Sequence, residues 1–245
     1  MTDIHSEEIT YTANGIEMRG YIAWDADQDG PRPGVLVVHE WWGCNEYPQR
    51  RARMLAEAGY TGLAVDLYGE GRLAQNPDEA GALMTARIDD MEGTRTRFMA
   101  ALDTLKAHHT VDANRSGAIG YCFGGGVVTH MARMGAPLNM TGSFHGAVGL
   151  AAVDGPDHID CRIMVYNGEA DVLIDEEQIS GFKAQMEKTG AHYDFVQLPG
   201  ALHGFSNPEA TVNGQKYGLP LAYSKLADDS SWAHLCLTME DIFAQ

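Results

Sequence analysis

The apolar positions of the chain begin with two short runs within residues 7–24, joined at Asn14-Gly15. An Asn-Gly pair between two such runs is a strong signal for a β-hairpin. Further along the pattern changes, because GVLVVHE at 34–40 is a continuous apolar run, as in a strand that is covered on both faces. RRARMLAEAGY at 50–60 then has helical spacing. The sequence therefore predicts an antiparallel hairpin followed by parallel strands.

Later apolar runs alternate with helical stretches. The runs typical of strands are TGLAVDLYG at 61–69, SGAIGYC at 116–122, FHGAVGLAAV at 144–153, CRIMVYNGEAD at 161–171 and HYDFVQLPG at 192–200. A polar, helical stretch reaches about His109, and residues 176–190 predict an amphipathic helix. This alternation predicts an α/β fold with a mostly parallel, doubly wound sheet. No repeat or linker interrupts it apart from a loose segment at 208–220, so we expect one domain over residues 1–245.

The segment 69–93 departs from the simple alternation. Asn76 is predicted to cap a helix whose first residue is Pro77, and Glu79 is placed to return a capping-box hydrogen bond. An ordinary crossover helix and a mobile lid over an active site both fit this pattern.

Composition narrows the classes of function. The chain has 17 Lys and Arg against 34 Asp and Glu, a formal charge of −17, which argues against nucleic acid as a partner because phosphate binding needs clustered basic residues. The acidic N-terminus lacks the pattern of a signal peptide, and no apolar stretch approaches the roughly 20 residues of a spanning helix, so we expect a cytoplasmic protein without a membrane partner. The four cysteines have neither disulfide-scaffold nor zinc spacing, so reduced thiols and no metal are expected.

The sequence GYCFG at 120–124 has the form of a nucleophile elbow, a sharp turn from strand to helix with cysteine as the nucleophile. Glycine is needed two residues before and after the nucleophile because a Cβ there would collide with the adjoining strand or helix. The turn also places the Cys122 thiol at a helix N-terminus, where the dipole and free N–H groups stabilise a thiolate. Cys122 is therefore the predicted nucleophile, and the alternative is an incidental cysteine in a glycine-rich turn.

An elbow needs a general base and an acid that orients it, in the chain order nucleophile, acid, base. His203 lies in a glycine-flanked loop directly after the last predicted strand, so we take it as the base. The histidines expected to be structural or solvated are His108, His109, His130 and His192. Asp171 follows the preceding strand in a turn and is the predicted acid, with Glu169 and Asp175 as alternatives.

The apolar run at 34–40 leads into the loop Glu40-Trp41-Trp42, which is predicted at the same edge of the sheet. One backbone N–H from such a loop and one from the residue after the nucleophile form an oxyanion hole, which stabilises charge on the acyl oxygen. Trp41 and Phe123 are the predicted donors. The tryptophan pair also fits a pocket wall.

With these residues, the whole chain resembles the dienelactone hydrolase family of α/β hydrolases, the carboxymethylenebutenolidases. The matching features are GYCFGG at 120–125, Asp171, His203, Glu40 and the sequence DLY at 66–68. The resemblance implies an α/β-hydrolase fold and activity on a small ester or lactone. It also implies that Glu40 holds the resting thiol and takes part in forming the thiolate, whereas a structural Glu40 is the alternative.

Two positions depart from the family. Members that act on dienelactone hold its carboxylate with arginines, one in the crossover region and one shortly after the catalytic histidine. Here HGFSN at 203–207 contains no arginine, and the first position falls near 76–78. Arg72 and Arg87 are the alternative cations, although spacing does not place them. The resemblance therefore extends to the catalytic groups and not to dienelactone as the substrate.

Together these features predict a hydrolase that cleaves a small ester or lactone through Cys122, His203 and Asp171, without a metal or organic cofactor, as a monomer or homodimer. An acyl transferase or thiol hydrolase on the same scaffold is the alternative among enzymes. A ligand-binding homologue without activity is the alternative from another class, because fold alone does not imply function.

Overall fold

The computed structural model describes residues 3–244. The strands of this part of the chain are β1 (Ile4–Ala13), β2 (Ile16–Asp25), β3 (Arg32–Val38), β4 (Thr61–Val65), β5 (Val111–Tyr121), β6 (Met140–Phe144), β7 (Arg162–Gly168) and β8 (Tyr193–Leu198). Its helices are α1 (Glu46–Glu57), α2 (Pro77–Ile88), α3 (Met91–Ala107), α4 (Phe123–Arg133), α5 (Glu176–Lys188), α6 (Ala210–Tyr217) and α7 (Lys225–Phe243), with a 3-10 turn at Val148–Ala151. No helix among them has both the length and the apolar content needed to cross a membrane.

The sheet is mixed and mostly parallel, with strand order β1-β2-β4-β3-β5-β6-β7-β8. β1 and β2 pair antiparallel, as do β2 and β4, whereas β3 and β4, β6 and β7, and β7 and β8 pair parallel. The predicted fold class is therefore confirmed. The contacts of the chain divide it into two compact units, one up to Ala118 and one from Ile119 onward. One domain over 1–245 stays a prediction.

The N-terminal hairpin turns where the sequence predicts. Asn14 and Gly15 both have positive φ, 51° and 75°, a conformation that Asn and Gly adopt at low cost. This two-residue turn fixes the register over ten residue pairs, from Ile4 opposite Asp25 to Ala13 opposite Ile16.

Two glycines show how helices cover both faces of the sheet in the first unit. A Cβ on Gly62 would lie 2.6 Å from the carbonyl oxygen of Ala52, so α1 packs against that face of β4. A Cβ on Gly34 would lie 3.0 Å from the Leu105 side chain, so α3 packs against that face of β3. Gly62 pairs with Val35, the neighbour of Gly34, and neighbouring residues of a strand face opposite sides. α1 and α3 therefore cover opposite faces.

The second unit is covered in the same way. A Cβ on Gly125 of α4 would lie 2.7 Å from the hydroxyl of Ser143, whereas a Cβ on Gly142 would lie 3.0 Å from Leu235 of α7. Gly142 and Ser143 are neighbours in β6 and point to opposite sides. β6 is thus enclosed between α4 and α7.

One predicted strand is wrong. The run FHGAVGLAAV at 144–153 is not a strand, since β6 ends at Phe144 and a turn and the 3-10 segment follow it. Val148 and Ala151 are apolar because they are buried, and a short apolar run does not by itself distinguish a strand from another buried segment. The sequence of β6, MTGSF, contains the polar residues Thr141 and Ser143, both of which are buried, so it has no continuous apolar run that would predict a strand.

Two smaller predictions are corrected. The segment 208–220 is not loose, because it contains α6, which ends at Gly218 in the left-handed conformation. The cap of α2 forms as predicted, with the Asn76 side chain accepting a hydrogen bond from Glu79 N at 3.0 Å. The Glu79 carboxylate, however, accepts from the backbone N–H of Gln75, one residue before the expected partner.

Candidate active site

Cys122 occupies the sharp turn between β5 and α4. Its φ of 53° and ψ of −115° lie in a strained region for a residue with a Cβ, and it is the N-cap of α4. A Cβ on Gly120 would lie 2.1 Å from the carbonyl oxygen of Gly124, so only glycine allows the turn to close. The Cys122 side chain is partly exposed. The local sequence therefore presents a partly exposed thiol at a helix N-terminus.

His203 and Asp171 form a buried pair in the same unit as Cys122. His203 Nδ1 donates a hydrogen bond to Asp171 Oδ2 over 2.8 Å, and both residues are less than 10% exposed, at 5% and 7%. The second carboxylate oxygen of Asp171 accepts from Leu173 N at 2.9 Å. Asp171 is thereby fixed on both oxygens, so it holds one orientation of the imidazole.

The loops that carry this pair are joined by their backbones. Ala170 N donates to the carbonyl oxygen of Ala201 over 3.0 Å. At Gly168, the last residue of β7, a Cβ would lie 2.3 Å from that same oxygen. Glycine at the end of β7 therefore lets the His203 loop approach Asp171 closely.

The electrostatics of His203 follow from its neighbours. Burial by itself lowers the pKa of His203, but the negative charge of a Cys122 thiolate and the hydrogen bond to Asp171 outweigh it and raise the pKa to about 10. A hydrogen bond with the Cys122 side chain contributes to the same rise, and Nε2 of His203 is buried with no other hydrogen-bond partner among residues 3–244. The arrangement leaves Nε2 available to exchange a proton.

The alternatives to these residues have other contacts. Glu169 accepts from the backbone N–H of Gly200 at 3.2 Å, and Asp175 caps α5 by accepting from Gln178 N at 2.8 Å. His130 contacts the carbonyl oxygen of Leu150 at 2.7 Å through Nδ1. In the described geometry the carboxylate bonded to His203 is therefore that of Asp171.

Sequence reasoning missed a second buried histidine beside His203. His145 lies in the turn after β6, and its ring is 5.1 Å from the His203 ring, centroid to centroid, at an interplanar angle of 62°. Nε2 of His145 is 2.8 Å from the hydroxyl of Ser206. The apolar run 144–153 predicts a strand, so no local pattern indicates that His145 turns toward the His203 loop.

Glu40 and Trp41 belong to the first unit, directly after β3. Glu40 is 7% exposed, and its carbonyl oxygen accepts from Nδ1 of His39. The carbonyl oxygen of Trp41 accepts from the Tyr68 hydroxyl at 2.9 Å. These contacts fix the backbone of the loop, while the roles of Glu40 and Trp41 toward Cys122 stay predictions.

The DLY sequence at 66–68 supports this loop from within the same unit. Asp66 is fully buried, and its carboxylate accepts from the backbone N–H groups of Tyr68 at 2.9 Å and Gly69 at 2.8 Å. His39 Nε2 accepts from Leu67 N at 3.3 Å, and burial lowers the pKa of His39, which keeps the ring neutral. Asp66 therefore organises the backbone that contacts the loop after β3.

Between residues 3 and 244 no group of three or more His, Cys, Asp or Glu side chains is arranged to hold a metal ion. Of the two arginines considered for substrate binding, Arg72 bonds Glu70 at 2.7 Å, and Arg87 lies 3.6 Å from Asp90. Both are thus already near a carboxylate.

Comparison with known proteins connects this geometry to a family. The model of the dienelactone hydrolase family matches residues 18–243. The chain belongs to the dienelactone hydrolase family. The chain is similar to Protein usf from Aquifex pyrophilus, with 29% identity over 208 residues, which are 81% of this chain and 86% of that protein.

Solved structures agree with this assignment. The dienelactone hydrolase-like promiscuous phosphotriesterase P91 from metagenomic libraries matches with a TM-score of 0.89 and 30% identity, over 98% of this chain and 99% of that one. The dienelactone hydrolase from Anabaena variabilis ATCC 29413 shares the fold, with a TM-score of 0.65 and 21% identity over 88% and 96% of the two chains. The predicted α/β-hydrolase fold and membership in a hydrolase family are confirmed.

Proposed function

We propose that this dienelactone hydrolase family member hydrolyses small carboxylic esters or lactones, with Cys122 as the nucleophile. One observation carries the proposal. The strained Cys122 at the start of α4 belongs to the same unit as a buried His203–Asp171 hydrogen bond of 2.8 Å, with Nε2 of His203 left for the thiol proton. A nucleophile, a base and an orienting acid are the three groups that acyl transfer through a cysteine requires.

In the first half of the reaction, Nε2 of His203 holds the thiol proton and the thiolate attacks the carbonyl carbon. The backbone N–H groups of Phe123, the first residue of α4, and of Trp41 stabilise the negative oxygen of the tetrahedral species. The C–O bond then breaks and the leaving alkoxide or enolate takes the proton from His203. An ester gives a thioester on Cys122 and a free alcohol. A lactone gives a thioester whose acyl chain itself carries the new hydroxyl group, in its enol or keto form when the ring oxygen was enolic.

In the second half, His203 takes a proton from water, which attacks the thioester carbonyl. The thiolate leaves, and the released acid and the regenerated imidazolium–thiolate pair complete the cycle. Asp171 stabilises the imidazolium throughout. Family resemblance assigns Glu40 to managing the resting thiol, so it acts before acylation.

The experiment that tests the proposal is a panel of small neutral esters and lactones assayed with wild type, Cys122→Ala and Asp171→Asn. We expect Cys122→Ala to lose turnover and Asp171→Asn to lose about 10⁴-fold in kcat with the fold intact. Cys236→Ala is the matched control, because it removes a thiol outside the elbow. Full turnover by Cys122→Ala would reject the cysteine mechanism. Binding without turnover by wild type would favour the non-catalytic alternative.

The role of Glu40 needs a separate measurement. In single-turnover kinetics with a chromogenic ester, we expect Glu40→Gln to slow acylation while hydrolysis of the preformed acyl-enzyme changes much less. Equal slowing of both steps would instead indicate a role in shaping the loop at Trp41. No effect on either step would leave Glu40 a structural residue.

The choice of acceptor distinguishes a hydrolase from an acyl transferase. Adding small alcohols or amines to the assay should leave the rate of thioester breakdown nearly unchanged if water is the acceptor. A phosphotriester belongs in the same panel, because P91, which is 30% identical over almost the whole chain, is named a promiscuous phosphotriesterase. Phosphorus, like an acyl carbon, is open to attack by the thiolate.

A further inference from the structure

One short segment of the second unit contacts both the nucleophile and the loop of the base. It is the segment 144–147, which begins at the last residue of β6 and continues into the turn after it. The carbonyl oxygen of Phe144 accepts from Cys122 N at 3.0 Å, and Ala147 N donates to the Cys122 carbonyl oxygen at 3.3 Å. The elbow is thus held at both of its backbone groups by this turn.

The side chain of His145 extends from the same turn to the His203 loop. The residue is fully buried and has a φ of 40°, a left-handed conformation that costs energy for a residue with a Cβ. Its Nε2 is 2.8 Å from the Ser206 hydroxyl, and Ser206 is also fully buried. A strained backbone at a buried polar side chain needs compensation, which this hydrogen bond supplies in part.

The His145 ring packs against two other rings, those of His203 and Phe205. His145 meets His203 at 5.1 Å and Phe205 at 5.0 Å, with interplanar angles of 62° and 87°. In the second unit the titratable groups that interact with His203 are Asp171 and Cys122, and His145 lies against its ring. The orientation of the His203 ring is therefore constrained by the hydrogen bond of Nδ1 to Asp171 and by the tilted contact with the His145 ring.

We propose that His145 and Ser206 are positioning residues, which hold the His203 ring at the correct distance from Cys122 by joining the nucleophile turn to the base loop. This inference rests on the proposed function, because it assigns the positioning of the same site. The hydrogen bond joins two segments that are 61 residues apart in sequence. A displacement of about 1 Å between reacting groups is enough to cost on the order of a hundredfold in rate.

The experiment compares Ser206→Ala, His145→Phe and His145→Gln with wild type. Ser206→Ala removes only the hydroxyl. His145→Phe keeps a ring against His203 but loses the hydrogen bond, while His145→Gln places an amide near the position of Nε2. Phe and Gln meet the same backbone strain at residue 145, and Gln lacks the ring, so higher activity of the Gln variant than of the Phe variant reports the hydrogen bond. His130→Gln is the matched control, since His130 also bonds a loop in this unit, through the Leu150 carbonyl.

Two readouts are used. The first is kcat and KM on the ester that wild type turns over. The second needs no turnover: it is the absorbance of the Cys122 thiolate near 240 nm as a function of pH, taken as the difference from the same variant carrying Cys122→Ala. Thermal unfolding of each variant shows that it is folded.

We expect Ser206→Ala and His145→Phe each to lower kcat about tenfold or more with KM nearly unchanged. Both variants should also raise the pH at which the Cys122 thiolate forms, because a displaced imidazolium stabilises the thiolate less. His145→Gln should recover most of the kcat that His145→Phe loses. The double variant Ser206→Ala/His145→Phe should have a kcat no lower than that of either single variant, because both changes break the same hydrogen bond. Folded Ser206→Ala and His145→Phe variants with the wild-type thiolate titration and kcat would overturn the proposal. Inactive wild type with a shifted titration in these variants would reject the proposed function and retain the positioning role.

Discussion

Cys122 differs from the other cysteines in exposure and in neighbours. Burial raises the pKa of Cys161 to about 12 and that of Cys44 still higher, whereas Cys122 is partly exposed at the N-terminus of α4 and interacts with His203. We expect iodoacetamide to modify Cys122 before the other three at neutral pH, because the thiolate is the reactive form. Peptide mapping by mass spectrometry after brief labelling checks this.

Two outcomes would be informative about this cysteine. Labelling of Cys44, Cys161 or Cys236 ahead of Cys122 would contradict the assignment of the elbow, unless a substrate analogue accelerates labelling of Cys122. Acceleration by the analogue would mean that Glu40 keeps the resting thiol protonated. Cys122→Ser, which should leave a slow and unselective pattern, is the control.

His203 makes stability depend on pH in a definite direction. Its pKa in the folded protein, about 10, is above its ordinary value of 6.5. Protonated His203 therefore contributes fully to the free energy of unfolding below pH 6.5, and this contribution is lost as the pH rises toward 10. The difference in free energy of unfolding between wild type and His203→Gln should therefore shrink over this interval. Urea unfolding at a series of pH values measures it. In a Cys122→Ala background this pH interval should be narrower, because the thiolate charge that raises the pKa of His203 is gone. An unchanged interval would show that Asp171 alone raises the pKa of His203.

At the scale of elements, the turn into α4 and the middle of α2 offer opposite tests of glycine. Gly120→Ala would place a Cβ 2.1 Å from the Gly124 carbonyl oxygen, and we expect a loss of about 3 kcal/mol or more in the free energy of unfolding. Gly81→Ala meets no atom within 4 Å in the interior of α2, so it should stabilise the protein by about 0.5–1 kcal/mol. Denaturant unfolding of both variants is the measurement. If Gly120→Ala left the free energy of unfolding unchanged, β5 and α4 would have to be able to move apart at the elbow.

The charge of the whole molecule, −17, bears on the substrate. Arg72 and Arg87, the cations considered for a substrate carboxylate, lie near Glu70 and Asp90. We therefore expect neutral esters or lactones to be hydrolysed at least as well as matched carboxylated ones, because an anion approaches an acidic protein at an electrostatic cost. Comparison of kcat/KM for matched pairs checks this, and added salt should raise the value for the anionic member.

A tenfold preference for the carboxylated substrate, about 1.4 kcal/mol in transition-state binding, would contradict this expectation. Arg72→Ala and Arg87→Ala would then identify the cation responsible. Equal loss of activity on neutral substrates in these variants would point to a structural role instead.

The sequence by itself determined the features that depend on a few neighbouring residues. The hairpin at Asn14-Gly15, the cap of α2 at Asn76 and the turn at Cys122 are each specified by local backbone preferences, which neighbouring residues encode directly. The alternation of strands with helices predicted the mixed, mostly parallel sheet for the same reason, since apolar periodicity is a local property.

Only the tertiary structure decided which distant groups meet. The sequence offered Glu169, Asp171 and Asp175 as acids, and the fold of the loop after β7 brings Asp171 to His203. The bond between His145 and Ser206 depends on the end of β6 lying beside a loop 61 residues later, which no local pattern reports. Burial makes the run 144–153 apolar without making it a strand, because hydrophobicity records that a segment is covered and not the backbone conformation in which it is covered.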